Sequence, residues 1–471
     1  MLAAGVILSA FLTRFSPDWT LVYVGAALVM LPFAIGRLIR FDIFEPVYLF
    51  ALSFGVLFVI RPAFDLLTSS SLPSFVGISA RPTYSKALLF AVGGCASFYA
   101  GYYLSSAQRW GLSIPGLPDV WNVRRLVVFA MILLALSGIL FGLFVLGNGG
   151  MPLLSSLLAG RNPVVASALH NSSGYFYLAP LWLTSIALLF IALAPRWRSR
   201  LTFAGIGLLA LSQLTEIGLG DRSFFLPALA GAVLVVYLKR KQRPPMWLAA
   251  TAIVLVFVFG INLPRDYRVH AKEGIAAVLR STVANPGDGA RDFFTGADSA
   301  MIQGLAIELE YVPSRLNYQW GATYVEALTR PIPRPLWRNK PVAAETQLME
   351  TIWPDLARIH VGFAFSVFAE PYLNFGWPGV LVFAFLFGAA WRALYSWYLA
   401  NSGNITVITT YALSWPFMVV YMRGGLGVDY HRQVIYVFPI ILASYLAARG
   451  LRAERSHRTL TIDAVRSGRT S

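Results

Sequence analysis

Three side chains in the second half of the sequence are equipped to move a proton: Glu370, Asp429 and His431. Glu370 stands at the rim of an apolar stretch, Val361 to Phe375, where partial desolvation makes a carboxylate a better proton acceptor. The competing reading is a carboxylate neutralised by a nearby arginine. Asp429 and His431 lie in Arg423-Gly424-Gly425-Leu426-Gly427-Val428-Asp429-Tyr430-His431-Arg432, which sets base, acid and imidazole among flexible glycines. A connector between two apolar spans needs nothing so polar.

Seven cations are placed to hold an anion. Arg222 follows Gly220-Asp221 in a short turn, where a guanidinium can meet a phosphate through two parallel hydrogen bonds. A snorkelling anchor, or an ion pair with Asp221 or Glu216, accounts for it equally in kind. Arg265 and Arg268, three apart, form a second candidate clamp or an interfacial anchor beside Tyr267. Arg334, Arg338 and Lys340 belong to Pro331-Ile332-Pro333-Arg334-Pro335-Leu336-Trp337-Arg338-Asn339-Lys340-Pro341, and Arg423 opens the glycine-rich turn. Arg330, Arg334 and Arg338 recur every four residues, but the interleaved prolines forbid a continuous helix and imply an extended or turned segment. Cations to hold a phosphorylated leaving group and a base to receive a hydroxyl proton are the parts of a group-transfer site. A metal centre is not expected, because His170, His270 and His360 show no ligand spacing and Cys95 is the single cysteine. That lone cysteine also excludes an intramolecular disulfide.

Positioning these residues falls to a membrane scaffold. Of 471 residues, 57% are hydrophobic and 13% charged, against about 25% charged in soluble domains. Apolar runs repeatedly approach the roughly 20 residues that cross a bilayer of about 30 Å. Twelve spans are expected, near Met1 to Phe11, Leu21 to Ile35, Val47 to Ile60, Ala87 to Leu104, Leu126 to Leu146, Tyr175 to Ala194, Leu201 to Thr215, Phe224 to Leu238, Trp247 to Ile261, Gly376 to Tyr395, Ile405 to Tyr421 and Gln433 to Ala447. The fold class is an all-α polytopic membrane protein forming one integral domain over 1–471. The first span is short, and the sequence before Arg14 has neither the basic start nor the small-residue cleavage motif of a signal peptide.

The net charge of +16 is explained by topology. With the N-terminus cytoplasmic, 19 basic and five acidic residues fall on the inner side, including the basic tail 449–471, and leave only +2 outside. This obeys the positive-inside rule and removes the need for nucleic acid as a partner. N- and C-termini are then both cytoplasmic. The large loop after the ninth span, 262–375, is expected outside, with short helices and a re-entrant segment. Between Asn262 and His360 its 11 basic residues balance 11 acidic ones, so any anion site there depends on local arrangement. An amphipathic helix is expected over Gln347 to Ala357. The outer loop around Ala159-Gly160-Arg161-Asn162-Pro163 is expected to form a small interfacial helix.

Three stretches resemble the bacterial O-antigen polymerase family, also called oligosaccharide repeat-unit polymerases. They are Gly220-Asp221-Arg222 at the opening of an apolar span, Pro333 to Pro341 as quoted above, and Phe368-Ala369-Glu370-Pro371-Tyr372-Leu373-Asn374-Phe375-Gly376-Trp377-Pro378-Gly379. The layout is similar over nearly the whole chain, the motifs over roughly Leu219 to Gly388. The resemblance implies a GT-C-like, metal-independent glycosyltransferase without a cofactor. It implies undecaprenyl-diphosphate-linked oligosaccharides as substrates at the periplasmic face of the bacterial inner membrane, with membrane lipids and a chain-length regulator as partners. The related O-antigen ligases, which transfer glycan to a lipid A core, share the layout and remain an alternative. A polysaccharide or lipid transporter is the rival from another class, but ionisable residues near the bilayer midplane, expected of one, are nearly absent from these spans.

Overall fold

The computed structural model describes residues 16–38, 41–68, 78–158, 163–170, 174–219, 222–245, 275–284, 293–294, 296–330, 332, 336–358 and 362–449. The chain is built from helices, labelled here in order apart from a short unlabelled one at Ala107–Ser113. They are α1 (Pro17–Leu38), α2 (Pro46–Thr68), α3 (Arg81–Leu104), α4 (Val123–Gly147), α5 (Met151–Leu158), α6 (Pro163–His170), α7 (Tyr175–Leu193), α8 (Arg200–Leu219) and α9 (Arg222–Arg240). After them come α10 (Ile275–Ala284), α11 (Met301–Tyr311), α12 (Ala322–Thr329), α13 (Ala344–Ile352), α14 (Pro354–Arg358), α15 (Ala369–Ala400), α16 (Ile405–Gly424) and α17 (Leu426–Ala447).

Among the described residues, eight helices are long and apolar enough to cross a membrane: α1, α2, α3, α4, α7, the Ser223–Arg240 part of α9, α15 and α16. Each coincides with an expected span. Two further expected spans are helices as well, in α8 and α17, of which α8 carries a shorter apolar run over Arg200–Leu214. The expected spans at Met1 to Phe11 and Trp247 to Ile261 lie outside the described residues, as do the basic tail beyond Arg449 and His270 and His360.

The chain divides into two compact units. The first comprises the described parts of Met1–Ala107, Ala290–Arg392 and Met418–His431. In it a buried Arg61–Asp65 ion pair of 3.0 Å on α2 reaches the segment before α11, with Arg61 Nη1 donating to Ser299 Oγ at 2.9 Å and Tyr84 to Asp65 at 3.2 Å. Gln303 and Thr83 add hydrogen bonds to Asp65 and to the Ala306 carbonyl. Removing one partner of so buried an ion pair leaves an uncompensated charge, so these polar groups fix α11 against α2 and α3. At the other end of the same unit Arg392 pairs with Glu45 at 2.8 Å and lies over the Tyr102 ring.

The second unit comprises the described parts of Gln108–Gly289, Ala393–Phe417 and Arg432–Ser471. Its α7, α8, α9 and α16 pack through small residues, as where Gly231 meets Leu413 and Leu188. Asp119 accepts from the Ile405 and Thr406 amides at 2.9 and 3.3 Å and so caps α16. A two-residue antiparallel pair, Val120 with Arg449 and Trp121 with Ala448, ties the end of α17 to the segment before α4.

Three of the expected local elements differ from the structure. The amphipathic helix is split by Pro354 into α13 and α14. Where the sequence predicts one interfacial helix there are two helices, α5 and α6, flanking residues 159–162, which lie outside the described residues. The expected polar turn Arg423 to Arg432 is helical instead: only Gly425, at φ +90°, breaks the path from α16 into α17. Asp429 and His431 therefore belong to the first turns of a long helix.

Candidate active site

The site is built around a bend in α15. Gly376 takes φ 65° and ψ −154°, a conformation that L side chains rarely adopt, and Pro378 offers no amide. The carbonyls of Leu373 and Asn374 thus lose their usual helical partners. They accept instead from the Gln319 and Trp320 amides at 3.0 and 3.1 Å. The loop before α12 is thereby fastened to the short helical segment that carries Glu370. Asn374 reinforces it, accepting from the Gly321 amide at 2.8 Å and donating to Thr323 Oγ1 at 2.7 Å and the Glu370 carbonyl at 2.8 Å.

Glu370 is buried, and both carboxylate oxygens are engaged. Oε1 accepts from Thr323 Oγ1 at 2.9 Å, and Oε2 from the Gly427 amide at 2.6 Å. The latter contact puts the carboxylate on the positive N-terminal end of α17. Close to it, around Gly425, is Ser366, a non-glycine residue at φ +111°, whose hydroxyl accepts from the Phe368 amide at 3.3 Å. A strained residue beside a buried carboxylate marks a place the surrounding fold holds tightly.

One turn further, Asp429 is buried against Gly424, where a Cβ would collide with its Oδ2. His431 is half-buried, and its Nδ1 lies 2.8 Å from Arg330 Nη1. A guanidinium has only donors, so Nδ1 must accept and the ring proton sits on Nε2. Arg330 is also forked onto Glu326, with Nε–Oε1 at 3.2 Å and Nη2–Oε2 at 2.6 Å. Lys340 completes the cluster: its ammonium donates to the carbonyls of Arg330 and Ile332 at 3.1 and 3.2 Å and stands 4.0 Å from Glu326. One buried acid is thus shared by two cations beside the imidazole.

Beneath this lies Glu308 on α11, fully enclosed. Neither carboxyl oxygen reaches a partner at ordinary hydrogen-bond geometry. Burial raises its pKa well above the usual carboxylate value, the negative charge of Glu370 adds to the rise, and the Leu373 amide opposes it weakly. Burial thus favours the protonated form of Glu308.

With this geometry in place, the chain can be set beside known proteins. The family model for the O-antigen polysaccharide polymerase Wzy matches residues 1–442. The chain belongs to that family. It is thus an O-antigen polymerase by family and a multi-pass membrane protein by structure. Neither curated proteins nor solved structures gave a match.

Of the residues expected to act in this polymerase, Glu370, Asp429 and His431 are gathered at the start of α17. Lys340 joins them, although as a strut on backbone carbonyls. Arg423 pairs with Asp298 at 2.8 Å, and Arg338 is exposed in a turn. Arg222 opens α9; its side chain lies outside the described residues, as do Arg265, Arg268 and Arg334. Among the described residues no three of His, Cys, Asp and Glu are grouped to hold a metal ion.

Sequence reasoning passed over Arg330 as a binding residue, and also Glu326, Thr323, Asn374 and Glu308. Two signals were readable. Glu326 and Arg330 stand four apart, the spacing of a helical ion pair, and Glu308 is a carboxylate ending the otherwise apolar Met301-Ile302-Gln303-Gly304-Leu305-Ala306-Ile307. Thr323 and Asn374 carried no such signal, because their roles arise only from the bend at Gly376.

Proposed function

We propose that this polymerase joins oligosaccharide repeat units carried on undecaprenyl diphosphate, at the periplasmic face of the bacterial inner membrane, with the α15–α17 cluster as its active site. The observation that carries the reading is the Arg330–His431 contact: a guanidinium and an imidazole N–H side by side, next to two carboxylates on one helix start.

The reaction breaks the bond between the anomeric carbon of the donor glycan and the diphosphate oxygen. A new bond forms from an acceptor hydroxyl to that carbon. Arg330 and the Nε2–H of His431 receive the negative charge developing on the departing diphosphate, a task for preorganised donors in a site partly screened from water. The hydroxyl proton passes to Asp429 or Glu370. Glu370 already accepts two hydrogen bonds, so its further role is to fix the start of α17 and hold Asp429 and His431 in register. Arg222, Arg265, Arg268, Arg334, Arg338 and Arg423 are proposed to guide the diphosphate and glycan toward this cluster. Because a lipid diphosphate is a competent leaving group and the cations supply its counter-charge, turnover is expected to persist in chelator.

The deciding assay gives purified protein a lipid-diphosphate oligosaccharide, alone or with a lipid A core, in the presence of EDTA. A ladder of lengthening lipid-linked chains supports the proposal. A single transfer to the core makes the protein a ligase, and no product from any such donor turns the reading toward transport. Turnover lost in EDTA and restored by a divalent ion overturns the metal-free mechanism.

A further inference from the structure

At one end of α7, α8 and α9, within the second unit, three cations line a cavity of about 220 Å³: Arg196, Lys239 and Arg240. Trp197 and Thr202 join them, Ile191 and Val236 supply an apolar wall, and among the described residues no acidic one takes part. The volume admits several waters or one phosphate headgroup.

The frame of the cavity is ordered by hydrogen bonds. The Arg196 carbonyl accepts from the Ser199 amide at 3.1 Å and from Thr202 Oγ1 at 3.0 Å, while Ser199 Oγ accepts from the Thr202 amide at 3.2 Å and caps α8. Lys239 Nζ donates to the Ala194 carbonyl at 2.8 Å, joining the last turn of α9 to the end of α7. Lys239 and Arg240 also complement the negative end of α9, which accounts for their presence on that helix. It accounts neither for Arg196, which comes from a different segment, nor for the hollow between them.

The height of the cavity along the helices identifies its ligand class. It lies at the ends of apolar stretches closing at Leu193 and Arg240 and opening at Arg200, which is headgroup level, and Trp197 is 57% exposed there. Exposed tryptophan is the residue of membrane–water interfaces, and basic pockets between spans suit anionic headgroups. We propose that this cavity binds a phosphate-bearing anion, with Arg196 and Arg240 holding the phosphate and Trp197 lying against the remainder of the headgroup. The chemistry is shared by an anionic phospholipid and by free phosphate, so the experiment must separate them.

Full-length protein is placed in phosphatidylcholine nanodiscs containing a minor fraction of phosphatidylglycerol, and retained lipid is read by native mass spectrometry. In parallel, inorganic phosphate is titrated into protein held in phosphatidylcholine alone. Wild-type protein is expected to retain phosphatidylglycerol selectively. The Arg196→Gln/Arg240→Gln variant should lose roughly tenfold or more of that retention, as two basic contacts at a membrane surface imply. Both side chains are exposed, and Arg196→Lys/Arg240→Lys, which keeps the charge, should keep most of the lipid. Phosphate binding that the double variant abolishes, without selectivity for phosphatidylglycerol, supports the anion site and assigns it to a soluble ligand. Equal phosphatidylglycerol retention and equal phosphate binding in wild type and double variant overturn the proposal.

Discussion

The Gly427 amide donates to Glu370 Oε2 at 2.6 Å, which seats a buried carboxylate on the first turn of α17. Gly427 is helical, so its glycine identity does not reflect an unusual backbone. It reflects space: a Cβ at 427 would collide with Glu370 Oε1.

Gly427→Ala should therefore displace the carboxylate. Losing the charge-assisted hydrogen bond costs about 1.5–3 kcal/mol of stability. Thermal unfolding in detergent should show the loss, and chain lengthening should fall with it. Adding Glu370→Asp, one methylene shorter, should recover part of both. An alanine variant with unchanged unfolding and unchanged product would mean that Glu370 does not hold this helix.

Arg330→Lys keeps the charge and removes the fork that spans Glu326 and His431. The expected cost in turnover is about ten- to a hundredfold, corresponding to roughly 1.5–3 kcal/mol. Because Glu326 retains Lys340 nearby, the variant should still fold, so product length and unfolding temperature are to be read together. Wild-type rates from the lysine variant would show that positive charge alone suffices.

Glu308 should make stability depend on pH. Its folded pKa is raised well above the usual 4.5, so the protonated form is favoured by folding. The contribution is complete below the unfolded value and is lost as pH rises through the folded one. Unfolding temperature should accordingly decline with rising pH across that window. Glu308→Gln, neutral throughout, should flatten the decline. An equally steep profile in the glutamine variant would place the titration elsewhere.

Arg222 is the first residue of α9, at a helix N-terminus suited to anions. If it clamps a diphosphate through its planar fork, both Arg222→Lys and Arg222→Ala should insert normally yet lose roughly ten- to a hundredfold in chain lengthening. A lysine variant making wild-type chains at wild-type rate would make Arg222 a membrane anchor.

How much of this was legible beforehand follows from the range over which each cause acts. Hydrophobic run length and the uneven placement of arginine are local properties, so sequence alone determined a polytopic helical membrane protein, and among the described residues eight of its expected spans stand as helices long enough to cross. The same local reading nominated Glu370, Asp429 and His431, because charged residues beside apolar runs and glycines are conspicuous one by one. Which of them meet was decided only by the tertiary structure. Glu370 and Gly427 are 57 residues apart, Arg330 and His431 101, and their contacts depend on the bend at Gly376 and on a helix starting at Leu426 where a polar turn was expected. A one-dimensional pattern records that a carboxylate is present. It cannot record whether its lone pairs are already taken by a threonine and an amide from distant segments, and that difference turns Glu370 from an isolated base into the residue that sets the start of α17.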